Sequence, residues 1–134
     1  MKYIKTMSGT DCGHTRTHQA GMLVPKKDPN LINFLPQLDL SIENPEAAFN
    51  CLDPVGKKWQ FRYIYYNKKL FGTGTRNEYR ITGITKFVKK FDIQPGDELI
   101  FSLQSQGLYA VEINHKDMGE DLGTVVLRGW RQVF

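Results

Sequence analysis

Arg76, Asn77, Glu78 and Arg80 carry donors and acceptors that match base edges, and they stand together in the run Gly72-Thr73-Gly74-Thr75-Arg76-Asn77-Glu78-Tyr79-Arg80-Ile81-Thr82-Gly83. An arginine fork meets the O6/N7 edge of guanine or a phosphate, asparagine pairs with adenine, and glutamate accepts from the amino group of cytosine. Gly72 and Gly74 leave the backbone free for a positive φ or a close approach. Tyr79, Ile81 and Thr82 have the aromatic and β-branched character of a strand leaving the loop. A plainer reading of the same residues makes Arg76–Glu78 and Glu78–Arg80 solvated ion pairs on a hairpin.

A second polar concentration runs from Ser8 to His18, with almost no hydrophobic residue, and is longer than a plain hairpin needs. Cys12, His14 and His18 in it form Cys-x-His-x3-His, which invites a metal reading. A structural zinc site needs four ligands, and Cys51 and His115 lack a partner at a zinc-type spacing, so neither a metal site nor a cofactor is expected. A metal-dependent nuclease of the common restriction type needs an acid followed by Asp/Glu-x-Lys. No Asp or Glu here has Lys two residues on; Glu112-Ile113-Asn114 comes nearest. His14, His18 and His115 have no Ser or Cys nucleophile with an orienting acid nearby in sequence, so no catalytic residue is assigned.

The elements that must position these residues belong to a chain of 134 residues, which fits a single domain over 1–134 with a core of its own. The apolar share is 40% and no apolar run approaches membrane-spanning length, so a soluble protein without membrane association is expected. Met1 to Met7 has neither an apolar h-region nor a small-residue cleavage site, which predicts a cytoplasmic location and reduced thiols at Cys12 and Cys51. The net charge of +4 is unevenly spread. Lys57 to Lys90 holds ten basic residues against Glu78 alone, leaving eight basic and thirteen acidic residues elsewhere. A basic central third on an acidic background is the footprint of a polyanion-binding face.

Periodicity supplies the frame. Tyr3 to Met7 and Gln19 to Val24 read as strands on either side of the long polar loop, the second stopping at Pro25. Asn30 to Leu35 reads as a helical turn, Leu38 to Ser41 as a short strand, and Ala47 to Leu52 as a brief, weakly specified element. Trp59, Phe61, Tyr63 and Tyr65 alternate with Gln60, Arg62, Ile64 and Tyr66 in the clearest strand. Ile84, Phe87, Val88 and Phe91 recur at helical spacing with Lys86, Lys89 and Lys90 between them. Strands are expected at Asp97 to Leu103, from Gly107 through Tyr109, Val111 and Ile113, and near Val125 to Leu127. Many short strands, few helices and frequent turns favour a sheet closed on itself.

The stretch from Phe87-Val88-Lys89-Lys90-Phe91 through Gln94-Pro95-Gly96-Asp97 to Leu99-Ile100-Phe101 resembles a B3 DNA-binding domain. His18-Gln19-Ala20-Gly21 with the strand to Pro25-Lys26, and Arg76-Asn77-Glu78 with Arg80-Ile81-Thr82, are similar to the N-terminal effector-binding domain of EcoRII-type restriction endonucleases. The resemblance implies a mainly β fold, a seven-stranded open pseudobarrel with two or three short helices, gripping duplex DNA with two arms in the major groove. It implies an N-terminal arm at the polar loop, with Lys5 and His18 at contact positions and Thr15, Arg16 and Thr17 beside them. A C-terminal arm would carry Arg76, Glu78 and Arg80, with Thr75 and Asn77 between them and Lys68 and Lys69 before them for phosphate. Leu23 departs from the pattern, standing where a tyrosine contact is expected. The implied function is recognition of a short double-stranded DNA site as the effector or target-recognition module of a longer restriction endonuclease, with a nuclease domain C-terminal to it. A self-contained nuclease and a stand-alone B3-type transcriptional regulator are the alternatives.

Overall fold

The computed structural model describes residues 1–13, 20–116 and 129–133. Alternating apolar residues form strands β1 (Lys2–Thr6), β2 (Met22–Val24), β3 (Glu46–Leu52), β4 (Lys58–Tyr66), β5 (Glu78–Thr82), β6 (Glu98–Ser105), β7 (Leu108–Asn114) and β8 (Trp130–Val133). Two short helices, α1 (Pro29–Phe34) and α2 (Thr85–Lys90), complete the described elements. All eight strands join one sheet in the order β2-β5-β4-β3-β7-β6-β1-β8, antiparallel except for the parallel pair β3–β7.

The sheet curls until its two edges meet through a side chain: Trp130 on β8 donates its indole N–H to the carbonyl of Leu23 on β2, 2.9 Å away. A barrel joined by a side chain in place of a ladder is the expected open pseudobarrel, with eight strands among the described residues where seven were expected. Strand β8 pairs with β1, Lys5 opposite Trp130, and carries the closing indole. The strand expected near Val125 to Leu127 lies outside the described residues.

The interior is aromatic. On β4 the inward face is Phe61, Tyr63 and Tyr65, as the alternation predicts, and Phe61 meets Phe49 of β3 and Phe87 of α2 edge-on. Each such buried ring stabilises the fold by roughly 1.5–3 kcal/mol. Asp28 caps α1 by accepting from the Leu31 N–H, and Pro29 occupies the first turn, where a missing donor costs nothing. Phe34 of α1 packs between Tyr3 and Tyr109, whose hydroxyl donates to the Phe34 carbonyl.

Two expectations need correction. Leu38 to Ser41 is a turn: the Asp39 carboxylate accepts from the Ser41 N–H at 3.0 Å and the Ser41 hydroxyl at 2.6 Å, a local bond that competes with a ladder. The segment around Ala47 to Leu52 is a full strand between β4 and β7, because Phe49 and Cys51 bury inward and both flanks pair.

Candidate nucleic-acid interface

Strand pairing decides which side chains share a face. In the β4–β5 register Arg62 lies opposite Thr82, Ile64 opposite Arg80, and Tyr66 opposite Glu78. The same alternation that sends Phe61, Tyr63, Tyr65, Tyr79 and Ile81 inward therefore puts Arg62, Tyr66, Glu78, Arg80 and Thr82 on the outer face.

Glu78 bridges the two arginines there. Its Oε1 accepts from Arg76 Nε and Nη2 at 3.1 and 2.9 Å, and its Oε2 accepts from Arg80 Nε at 3.2 Å. The Arg76 guanidinium also lies 3.6 Å from the centre of the Tyr66 ring, a cation–π contact that fixes its plane. The ion pairs of the plainer reading are thus present, and they hold two planar forks side by side at the surface.

The loop before β5 is braced from below. Asn67 is buried; its amide N–H donates to the Ile42 carbonyl, its Oδ1 accepts from the Asn44 N–H at 2.7 Å, and its own N–H donates to Asn44 Oδ1. Lys69 N–H donates to the Arg76 carbonyl, closing the loop into an arm. Gly72 has φ +71° and Gly74 crosses the Lys68 stem so closely that a Cβ would sit 3.0 Å from it, the two uses of glycine expected at these positions. Lys68, Lys69 and Thr75 are exposed on this arm. Asn77 is partly turned to structure: its Oδ1 accepts from the Tyr65 hydroxyl and its carbonyl accepts from Lys26 Nζ.

Facing it is the root of the other polar loop. Asp11 accepts from the Ser8 N–H at 2.8 Å and pairs with Lys5 at 3.0 Å, both side chains being buried, while Gly21 N–H donates to the Asp11 carbonyl and ties the two ends of the loop together. Ala20 N–H donates to Thr85 Oγ1 and fastens this root to α2. The Lys5 ammonium is therefore engaged with Asp11 at the base of the loop. Thr15, Arg16, Thr17 and His18 lie outside the described residues, as does His14.

Cys12 belongs to the core, and burial, then the Asp11 and Asp97 carboxylates, push its thiol up to about 12. Burial raises Cys51 to about 12 as well. Among the described residues no three His, Cys, Asp or Glu side chains come together as a metal would require. No described helix is long and apolar enough to cross a membrane.

Between the two roots lies an open groove of about 1000 Å³. Arg62, Arg76 and Arg80 line it from the sheet, Lys86 and Lys89 from α2, and Thr10, Ala20 and Gly21 from the polar loop. Five cations and no carboxylate line it among the described residues; on the same outer face Glu46 pairs with Arg62, and Glu78 with Arg76 and Arg80. Arg62, Lys86 and Lys89 were not assigned to the site from sequence. The available signal was Arg62's place on the outer face of the clearest strand and the lysine side of the amphipathic helix.

A family model described as restriction endonuclease EcoRII, N-terminal, matches residues 1–104. The chain is 38% identical over 87 residues to the Type II restriction enzyme EcoRII of Escherichia coli, covering 60% of this chain and 20% of that protein. It is 31% identical over 98 residues to a B3 domain-containing transcription factor of Arabidopsis thaliana, covering 73% of this chain and 12% of that protein. The chain thus spans between an eighth and a fifth of the length of these curated relatives. In fold it is similar to the protein of the Arabidopsis FUS3-DNA complex, with a TM-score of 0.62 at 20% identity over 85% of this chain and 96% of that one.

Proposed function

We propose that residues 1–134 of this chain, which belongs to the family of the N-terminal domain of restriction endonuclease EcoRII, are one module recognising a short double-stranded DNA site. The observation that carries this reading is the groove of five cations flanked by the roots of two loops. Duplex DNA is a polyanion whose base edges are reached only from the grooves, so a reader needs both phosphate charge and directed side chains. Arg62, Lys86 and Lys89 supply the first. Arg76, Glu78 and Arg80 supply the second, with the Glu78 bridge and the Tyr66 ring orienting the forks before DNA arrives. Lys68, Lys69 and Thr75 extend the contact along one arm, and Thr15, Arg16, Thr17 and His18 supply further DNA contacts. Lys5 anchors the base of the polar loop through Asp11.

The module binds and does not cut. It acts in the cytoplasm as the effector or target-recognition part of a restriction endonuclease whose nuclease domain follows it in the parent chain. Similarity to a B3 domain-containing transcription factor favours a second reading, a stand-alone regulator. Selection of bound duplexes from a random pool tests the shared core of both: a preferred site is expected, and recovery of sequences at random would refute it. Incubating the chain with divalent metal and plasmid separates binding from cleavage, and DNA breakage by this chain alone would overturn the binding-only assignment.

A further inference from the structure

The arm that carries Arg76 also displays two large apolar side chains to solvent: Leu70 is 65% exposed and Phe71 42% exposed. They are held there by design of the backbone. Leu70 N–H donates to the Asn67 carbonyl, Phe71 N–H and Thr73 N–H both donate to the Lys68 carbonyl, and Gly72 N–H donates to the Lys69 carbonyl. The buried Asn67 anchors this turn to Ile42 and Asn44, and Thr73 Oγ1 donates to Glu43 Oε1. A preorganised turn that exposes a leucine and a phenylalanine keeps apolar surface in water unless a partner covers it.

Resting on the DNA-reading function above, we propose that Leu70 and Phe71 are specificity-determining residues that contact the C5-methyl groups of pyrimidines in the major groove. Charge complementarity selects DNA as the occupant. The pair follows Lys68 and Lys69 directly, and the bond from Lys69 N–H to the Arg76 carbonyl across the base of the arm joins it to the cationic groove. An apolar pair preceded by two exposed lysines suits a surface that offers phosphates and methyl groups together. In the major groove of unmodified DNA that apolar group is the thymine methyl, and 5-methylcytosine presents the same group at the same ring position.

The test uses the 134-residue chain and the duplex recovered by selection, with each thymine in turn replaced by deoxyuridine and each cytosine by 5-methylcytosine. At least one thymine replacement should weaken binding by about fourfold, the ratio expected for one buried methyl. If the methyl comes from a modified cytosine, the gain should appear in the 5-methylcytosine series and not in the deoxyuridine series. The variant Leu70→Ser/Phe71→Ser should lose this sensitivity while keeping its salt dependence and unfolding midpoint, and Phe71→Leu should retain most of it. A preferred duplex whose binding is indifferent to every C5 methyl overturns the inference, and the wild-type chain alone gives that result. Equal methyl sensitivity in the serine variant also overturns it, as does self-association of the wild type that the serine variant abolishes. A pool that yields no preferred duplex sinks the underlying function instead.

Discussion

Replacing Glu78 by alanine separates base reading from charge attraction by sign. In the free protein the carboxylate accepts twice from Arg76 and once from Arg80, and the side chains involved are about a quarter to a half exposed. Pairs at that exposure contribute ~0.2–1 kcal/mol each, so the folded state should lose no more than about 2 kcal/mol. Arg76 keeps its place over Tyr66. On DNA the two accounts diverge. If the outer face only attracts phosphate, removing a negative charge from between two guanidinium groups tightens binding to every duplex. If Glu78 reads a base and aligns the forks, the preferred duplex loses ~1–3 kcal/mol, about 5- to 150-fold, while a scrambled duplex binds as well as before or better. Anisotropy titrations of both duplexes at two salt concentrations measure the ratio directly. Tighter binding of Glu78→Ala to the preferred and scrambled duplexes alike would show that Glu78 does not read a base.

Lys86→Ala and Lys89→Ala should weaken preferred and scrambled duplexes by the same factor, and each should reduce the slope of log K against log salt by about 0.9 if it neutralises one phosphate; an unchanged slope places that lysine off the DNA. Tyr109→Phe removes the donor to the buried Phe34 carbonyl and should cost ~1–3 kcal/mol in urea denaturation without altering DNA affinity; loss of affinity at full stability would contradict that division. Glu98 supplies a pH dependence. Burial pushes its carboxyl up, but hydrogen bonds from Asn114, Arg131 and Lys116 outweigh this and hold it below the ordinary 4.5. A depressed native value means its stabilising contribution is present above the unfolded value and disappears as pH falls through the native one. The stability gap between wild type and Glu98→Gln should therefore persist from neutral pH down to about pH 5 and close in stronger acid, and a gap that stays constant into acid would show that the charge is not its source.

Features that depend on neighbours along the chain are legible in the amino-acid order alone. Two-residue alternation in Lys58–Tyr66 already sorted Phe61, Tyr63 and Tyr65 from Arg62 and Tyr66, and i, i+3, i+4, i+7 spacing already placed Phe87 and Val88 inward on α2. Gly72 and Gly74 marked the arm because a positive φ and a backbone crossing are local demands on a residue without Cβ. Which faces meet depends on contacts between segments far apart in the chain. Glu46–Leu52 has a weak local pattern, yet it is a central strand because Asn50 pairs with Leu108 and Phe49 with Phe61, partners that no local period announces. Leu38 to Ser41 alternates like a strand, yet the Asp39 side chain reaches Ser41 first. The pairing of Lys5 with Asp11 is not announced by spacing, and neither is the bond by which Asn77 accepts at its side-chain Oδ1 from the Tyr65 hydroxyl. The groove itself joins Thr10, Arg62, Arg80 and Lys89, which lie far apart in the chain and become neighbours through strand register and helix docking, and neither is encoded in the spacing of any one segment.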